Sequence, residues 1–575
     1  MSSPVTRRSA ALQAALGAAG AVVPDPSATA RAAARATAAR TPVPAPAAPR
    51  SEPAAVTAPS TTAAARAVDA AYTPRAAVTG WAATRPRTTA LRATAPRLAK
   101  GSTSDAAALH LARRATWGAT PALVDEITAV GGAAWLEAQL SPQGIADPVV
   151  DGLLANLFPR LRLETWQVRD RYWPNSTGDL GTDVVEAYVA RALWSKRQLL
   201  EVMVDFWTNH LVVTAPWGET WDCVHRYHED VIRRHALGRY SDLLVAAAMH
   251  PAMLAQLDNE SSSKRAPNEN FGREVLELHT VGVDGGYAES DVRTSALALT
   301  GISTEDESGE YLYRHIRHHT GPLSILGWSS ANASPRGEGV GIAYLRHLAQ
   351  HPSTARRVAT KLAVRFVSDT PPAGLVDTLA RVYLDHGTQV APVLRALFTS
   401  AEFAASAGQK TKRPLERIIS TSRALGVAPG TDTRAWLSEL VWNARVAGQA
   451  PLGWPAPNGY PDVAGAWAGA GVTLACWNWT MGQGWTASAV PQTRVAYPAL
   501  RTLLPATLPA THGGLVDALA ARLLLGPLPA AKRDAVCAFL DKTAAAPLKA
   551  TDPAVGWRLP YVVALVLDTP EFATR

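Results

Sequence analysis

The composition of the chain changes abruptly near residue 104, and this change decides which part of the chain can fold. From residue 24 to residue 103 the sequence consists mainly of Ala, Pro, Thr and Arg, with Trp81 as its one tryptophan. Such a segment has too few large apolar side chains to offset the entropy that is lost on ordering. We therefore expect a disordered linker over residues 24–103 and a folded body over residues 104–575.

Within residues 104–575 the apolar side chains recur at helical spacing. Over residues 183–211, for example, they fall mostly three or four positions apart, which places them on one face of a helix. Polar residues and His-Pro pairs at the expected ends predict helix caps at Ser104, Thr120, Ser241, Ser290, Ser353, His250 and His351. Short apolar runs such as Tyr311–Tyr313 could form strands, but nothing indicates a large sheet.

The predicted fold class is therefore all-α, predominantly: a multi-helix globular body with irregular loops, preceded by a disordered Ala/Pro/Thr/Arg-rich arm. We expect the body to form a single unit, with a candidate sub-domain break near residues 405–412. The length of 575 residues would also allow two to four separate cores at the usual size of about 150 residues each.

The net charge of +8 belongs to the arm and not to the body. Residues 1–100 hold 13 basic and 3 acidic residues, and the remainder holds 43 basic and 45 acidic residues, a net charge of −2. A body of this charge gives no electrostatic basis for binding DNA or RNA, so no nucleic-acid partner is expected.

The N-terminus resembles a twin-arginine export signal. Arg7 and Arg8 precede a short, mildly apolar stretch rich in Ala and Gly that ends at Val23. The alternative is a disordered Ala-rich start. We predict a signal over residues 1–23 and an exported protein, either secreted or held at the cell surface. No segment has the roughly 18 consecutive strongly apolar residues of a membrane helix, so none is expected beyond the signal.

The cysteines exclude two kinds of site. Cys223, Cys476 and Cys537 are too few for a disulfide framework, and no CxxC spacing for a zinc site occurs among them. They are compatible either with one disulfide or with three buried free thiols.

Ionisable residues are densest over residues 267–280, which are predicted to form a helix. Glu269, Arg273, Glu274 and Glu277 fall on two adjacent stripes of it, so Arg273 can pair with Glu269 or with Glu277. Carboxylates beside the nearby His279 suit general acid–base chemistry or a hard metal ion. The alternative is a buried structural network of ion pairs.

These residues give two overlapping sets of candidates. The predicted catalytic residues are Glu269, Arg273, Glu274 and Glu277. The predicted metal ligands are Glu274, Glu277, His279, His210 and His318, with a divalent metal as the candidate cofactor. A metal site would need ligands from outside the helix, because HExxH and paired ExxH motifs are absent.

Tryptophan is abundant, and some of its 18 copies could contact a substrate. Exposed tryptophans stack on sugar rings, although core packing is the default explanation for most. The candidate substrate-binding residues are Trp207, Trp454 and Trp467, and the loop that begins at Gly453 is the predicted substrate wall.

Eight blocks in order resemble the bacterial family called domain of unknown function 1800. They are residues 111–120, 206–210, 233–238, 250–259, 268–279, 351–355, 412–416 and 453–455. The resemblance covers residues 104–575 and implies an exported helical protein, with a candidate co-exported partner encoded nearby. Where the family usually has His-Asp-x-Gly-x-Lys, this chain has His318-His-Thr-Gly-Pro-Leu323, so an acid and a lysine are lost and the activity could be altered.

Two main functions remain open at this point, and a third, an exported cofactor protein, has no attachment motif such as CxxCH in the sequence. The first is an exported, metal-assisted enzyme that acts on an extracellular or cell-surface polymer. The second is a non-catalytic surface or glycan-binding protein in which the Glu, Arg and His cluster joins helices structurally.

Overall fold

The computed structural model describes residues 105–172, 179–216, 220–488 and 494–575. The predicted export signal, the predicted linker and the predicted cap at Ser104 lie outside the described residues. The candidate break near residues 405–412 stays a prediction.

The described chain is built mainly from helices, which confirms the predicted fold class. The described α-helices are α1 (Asp105–Ala115), α2 (Pro121–Val130), α3 (Gly132–Leu140), α4 (Pro148–Leu157), α5 (Thr165–Tyr172), α6 (Asp179–Trp194), α7 (Gln198–Thr208), α8 (Val224–Arg226), α9 (Tyr240–Ala248), α10 (Pro251–Gln256), α11 (Glu269–Glu274), α12 (Glu289–Ala298), α13 (Glu338–Ala349), α14 (Pro352–Phe366), α15 (Ala373–Asp385), α16 (Val390–Phe398), α17 (Ala401–Ala405), α18 (Pro414–Ala424), α19 (Thr433–Val446), α20 (Ala470–Ser488), α21 (His512–Leu523), α22 (Ala530–Phe539), α23 (Leu559–Leu567) and α24 (Pro570–Ala573).

Two π-helices and several short 3₁₀ turns complete the helical structure. The π-helices are Tyr227–Arg233, which continues α8, and Val275–His279, which continues α11. The described 3₁₀ turns are Pro142–Gly144, Pro159–Arg162, Asn259–Ser261, His315–Arg317, Ala464–Ala466, Leu500–Leu503 and Pro553–Val555.

The strands of the described chain form three small antiparallel pairs. They are β1 (Ile302–Thr304) with β2 (Tyr311–Tyr313), β3 (Leu323–Ile325) with β4 (Trp328–Ser330), and β5 (Ala428–Pro429) with β6 (Val495–Ala496). In the first pair Ile302 lies opposite Tyr313. The predicted strand at Tyr311–Tyr313 is confirmed, and no large sheet occurs among the described residues.

The predicted histidine caps are confirmed. His250 and His351 are the N-caps of α10 and α14, and in each case Nδ1 accepts a hydrogen bond from the backbone N two residues later, at 3.1 and 3.2 Å. Proline follows each histidine at the first helical position, where its missing N–H costs nothing. Thr120 caps α2 as predicted, by accepting from the N of Leu123.

The predicted caps at Ser241, Ser290 and Ser353 are wrong by two residues. Each of these serines lies inside the first turn of its helix. The α14 helix shows the reason: it already begins at Pro352, so its cap falls on His351.

One continuous hydrophobic core runs through the described body. Trp117, Trp207 and Trp436 are among its largest fully buried side chains. The three cysteines are free thiols, and each is buried, which agrees with the second of the two alternatives above. No helix among the described residues has both the length and the apolar character that a membrane crossing requires.

Candidate functional site

The predicted catalytic carboxylates lie on α11 and on the π-helix that continues it, and Asn268 and Gly272 fix the position of α11. Asn268 caps the helix, because its Oδ1 accepts a hydrogen bond of 3.0 Å from the backbone N of Phe271. Gly272 lets α11 lie directly against α12. A Cβ at this position would stand 2.8 Å from both Ala296 N and Val292 O, so only glycine allows this packing.

Glu277 is held in place by two donors. The Arg273 guanidinium donates to it at 3.3 Å, and the Tyr287 hydroxyl donates at 2.5 Å. Arg273 also pairs with Glu289. The predicted pairing of Arg273 with Glu277 is therefore confirmed, and it holds the carboxylate of Glu277 on the π-helix that continues α11.

Glu274 differs from its neighbours in its electrostatic environment. It is half-buried, and burial, reinforced by the carboxylate of Glu277, raises the pKa of Glu274 to about 7. Glu269, by contrast, is exposed and pairs with Arg293 at 3.1 Å. Of these three carboxyl groups, Glu274 is therefore the one suited to exchange a proton near neutral pH.

At the end of the π-helix Val275–His279, the buried side chains of His210, Tyr240 and His279 lie together with the half-buried Lys361. We call these four residues the imidazole cluster. Nζ of Lys361 lies 2.9 Å from Nδ1 of His210, and Nε2 of His210 lies 3.0 Å from the Tyr240 hydroxyl. The centroids of the His210 and His279 rings are 6.4 Å apart. The structure thus brings two of the predicted metal ligands together, at a widened helical turn of a kind that often occurs at functional sites.

Both histidines of the imidazole cluster are held neutral. Burial, reinforced by Lys361, lowers the pKa of His279 to about 3 and the pKa of His210 well below its usual value. An ammonium group can only donate, so Nδ1 of His210 is the acceptor and its lone pair is engaged. Nε2 of His279 is buried and has no hydrogen-bond partner among the described residues.

His318 lies in a different part of the fold, beside strand β2. Its Nδ1 is 2.9 Å from the carbonyl oxygen of Thr300, and its Nε2 is 2.8 Å from Oδ1 of Asn332. Its ring packs against Tyr313, with 5.9 Å between the centroids. These contacts engage both ring nitrogens and give His318 a structural role in joining loops.

The predicted metal site is not formed by the described residues. They contain no group of three or more His, Cys, Asp or Glu side chains that could hold a metal ion. The physical reason is that the carboxylates and the imidazoles have separate partners: Tyr287 and Arg273 on one side, Lys361 and Tyr240 on the other. This separation divides the five predicted ligands. They are Glu274, Glu277, His279, His210 and His318.

Trp207 lies in the hydrophobic core. It is fully buried, its Nε1 donates to the carbonyl oxygen of Ala236 at 2.8 Å, and its ring stacks on Tyr240. Trp207 was predicted to contact a substrate, but its side chain has no exposed surface for such a contact.

Trp454 and Trp467, in contrast, belong to one aromatic group, which we call the aromatic wall. Tyr460 lies between them, with its centroid 4.6 Å from that of Trp454 and 5.9 Å from that of Trp467. The indole N–H groups are engaged within the same loop, by Asn458 and Pro461. All three rings are half-buried, so part of each ring is accessible.

Asn209 fastens the aromatic wall to the end of α7. Its Nδ2 donates to the carbonyl oxygen of Tyr460 at 2.7 Å, and its Oδ1 accepts from the backbone N of Tyr460 at 2.6 Å. The neighbouring Gly459 has a φ of +76°, and a Cβ there would stand 2.0 Å from the carbonyl oxygen of Asn209. The block over residues 206–210 thus contacts the loop that begins at Gly453.

A small cavity lies behind the aromatic wall. Its lining includes Tyr188, Asp205, Thr208, Trp454 and Tyr460, and the space within it is about 20 Å³, which is room for about one water molecule. The Tyr188 hydroxyl donates to Asp205 at 2.6 Å. Oγ1 of Thr208 is buried and has no hydrogen-bond partner among the described residues.

A buried network of ion pairs, which we call the ion network, lies next to this cavity. Asp205 accepts from Arg413, and Glu416 accepts from Arg365 at 2.6 Å. The two guanidinium groups are only 2% exposed. Its members are the carboxylates Asp205, Asp369, Glu416 and Asp462 and the cations Arg365, Lys410, Arg413 and Arg575.

The ion network was not predicted from the sequence. A buried structural network of ion pairs was the alternative prediction for the helix over residues 267–280. The deeply buried ion pairs of the structure lie elsewhere. Arg413 and Glu416 belong to the block over residues 412–416, but Arg413 and Asp205 are 208 residues apart in sequence. The one signal in the sequence was the density of charged residues in that block. These residues do not follow the helical spacing that is typical of a solvent-exposed face.

The described chain is thus a helical body with an aromatic-walled cavity above a buried ion network. A family model described as protein of unknown function (DUF1800) matches residues 110–574. The chain belongs to this family, as the eight sequence blocks predict. No curated protein and no solved structure matches the chain.

Proposed function

We propose that this protein is exported and binds a carbohydrate polymer at the aromatic wall. The observation that carries the proposal is the aromatic group of Trp454, Tyr460 and Trp467, of which the first two line a small cavity. The lining of this cavity also includes Thr208, whose buried hydroxyl has no hydrogen-bond partner among the described residues. A mostly apolar, aromatic lining with a few polar groups is typical of small-molecule sites. A sugar ring matches both parts, because its C–H face is apolar and its rim carries hydroxyl groups.

The size of the cavity indicates what part of the sugar enters it. Room for about one water molecule suits a single hydroxyl group, with the ring itself held outside against the aromatic side chains. A hydroxyl that replaces a water molecule keeps affinity only if it reproduces the hydrogen bonds of that water. Thr208 and Asp205 supply a hydroxyl and a carboxylate for this purpose.

Co-sedimentation with insoluble polymers tests the proposal. We expect the wild-type protein to sediment with at least one of cellulose, chitin and purified peptidoglycan. Trp467→Ala should reduce the bound fraction, whereas Trp442→Ala, which removes an indole that is 61% exposed on α19, should leave it unchanged. Failure to bind any of the three polymers, or equal binding by both variants, would contradict the proposal.

A second candidate function is hydrolysis of the same polymer by acid–base catalysis at Glu274 and Glu277. The observation that favours it is a carboxyl group with a pKa of about 7 beside a carboxylate that two donors hold in place. Two carboxyl groups with different environments can divide the roles of acid and base. Arg273 would position Glu277.

Release of reducing sugar from the bound polymer tests hydrolysis separately from binding. Glu274→Gln should abolish release and leave co-sedimentation intact, and Glu307→Gln, at an exposed site, should change neither. If Glu274→Gln retains the wild-type rate, the catalytic function is wrong and the binding function still stands.

Export is part of the proposal and rests on Arg7 and Arg8. Replacing both with lysine should retain the full-length protein in the cytoplasmic fraction. The matched change at Arg31 and Arg35 should leave export unchanged. An unchanged distribution of the Arg7 and Arg8 variant would contradict the twin-arginine assignment.

A further inference from the structure

A second opening in the described body differs from the aromatic-walled cavity in both size and charge. It lies between the end of α3, the start of α7 and the residues after the π-helix Tyr227–Arg233. Its volume of about 470 Å³ is in the range of small-molecule sites. We call it the basic groove.

The floor of the basic groove is apolar. Leu140, Leu200 and Leu237 line it, and all three also pack in or against the hydrophobic core. Leu200 and Leu237 are only half-buried, so they present apolar surface to the groove. A ligand with an apolar part would remove this surface from water.

The rim of the basic groove is cationic. Three arginines line it, Arg197, Arg233 and Arg234, and none of the nine lining residues is acidic. Arg233 is neutralised by a bidentate pair with Glu201, at 2.7 and 2.8 Å, and Arg197 pairs with Asp151 at 3.4 Å.

Arg234 carries the charge that these pairs do not compensate. It is exposed and makes no ion pair with any described residue. A third carboxylate, Glu229, lies 3.8 Å from Arg233 but is shared with Arg191 at 2.6 Å. Four guanidinium groups therefore face three carboxylates, and the rim keeps an excess positive charge. Arg233 is already fixed by Glu201, and a fixed guanidinium loses less entropy when it binds a second anion.

From these observations we propose that the basic groove binds a small amphiphilic organic anion. Its carboxylate or similar group would pair with Arg234 at the rim, and its alkyl or aromatic part would cover the three leucines. An inorganic anion would leave the apolar floor in water, and a neutral amphiphile would leave the charge of Arg234 unused. This site is separate from the aromatic wall and does not depend on carbohydrate binding.

Isothermal titration of the full-length protein with octanoate tests the proposal. Octanoate should bind at least tenfold more tightly than acetate, which lacks the apolar chain, and than 1-octanol, which lacks the charge. Comparable affinity for octanoate and either of the other two, or no binding of octanoate, would overturn it.

Two substitutions locate the site. Arg234→Gln removes the uncompensated charge, and Gln143→Glu places a carboxylate in the lining with almost no change of shape. Each should weaken octanoate binding about tenfold, and both positions are exposed, so the fold should be retained. Arg336→Gln, at an exposed site outside the lining, should have no effect. Unchanged affinity in both groove variants would overturn the proposal.

Discussion

Lys361 and His210 are joined by a hydrogen bond of 2.9 Å between Nζ and Nδ1. The ammonium can only donate, so the imidazole is the acceptor and is neutral. His279, 6.4 Å away between ring centroids, is held neutral by burial and by the same lysine. The core of this protein therefore contains histidines that gain protons only when the chain unfolds.

Acid should destabilise the fold because of these histidines. Burial lowers the pKa of His279 and His250 to about 3, and of His110 and His228 to about 4. Above pH 6.5 both the folded and the unfolded chain keep these groups neutral. Between pH 6.5 and the folded-state pKa of each group, only the unfolded chain binds the proton, so the free energy of unfolding falls by about 1.4 kcal/mol per pH unit for each group.

Urea unfolding between pH 7.5 and pH 4.5 measures this effect. His279→Gln removes one of the groups, so its plot of unfolding free energy against pH should be less steep by about 1.4 kcal/mol per pH unit below pH 6. Only the slope matters, because the substitution also changes packing. A variant plot parallel to that of the wild type would show that His279 is protonated in the folded chain.

Glu416→Gln should destabilise the protein strongly. Glu416 accepts from Arg365 and pairs with Arg413 and Arg575, all 2% exposed, and its loss leaves buried positive charge uncompensated. Removing one member of a buried ion pair costs about 3–5 kcal/mol. Urea unfolding should show this loss, and Glu307→Gln at an exposed site should change stability by less than about 0.5 kcal/mol. Similar values for the two variants would mean that water reaches the ion network.

Gly272→Ala and Gly339→Ala should have opposite effects. A Cβ at Gly272 would meet Ala296 N and Val292 O at 2.8 Å, so α11 and α12 must separate, at a cost of about 1–3 kcal/mol. At Gly339, in α13, a Cβ meets nothing within 4 Å, so alanine should stabilise by about 0.4–1 kcal/mol. Thermal unfolding compares the two, and a melting temperature for Gly272→Ala at or above that of the wild type would show that the two helices are not packed this closely.

Local patterns in the sequence predicted the features that depend on nearby residues. Helical spacing predicted the fold class, the His-Pro pairs predicted the caps at His250 and His351, and the four-residue step predicted the pairing of Arg273 with Glu277. Each of these depends on backbone geometry within one turn of helix. The same logic failed at Ser353, because the helix already begins at Pro352 and its cap falls on His351.

The candidate site could be predicted only in part, because its parts come from distant segments. The loop with Trp454 and Trp467 was expected as a substrate wall, and the structure joins the two rings through Tyr460. Nothing local indicated that Asn209 would hold this loop. The surroundings of His279 likewise depend on distant segments: the π-helix changes the spacing along its own helix, and Lys361 approaches His210 and His279 from another element.

The most direct test of the account is calorimetric titration of a soluble oligosaccharide from whichever polymer the protein sediments with. The wild type should show saturable binding, and the affinity should be at least tenfold lower in Trp454→Ala, which removes an indole ring from the cavity lining. The affinity of Trp442→Ala should equal that of the wild type. Equal affinities in all three proteins would contradict the assignment of carbohydrate binding to the aromatic wall.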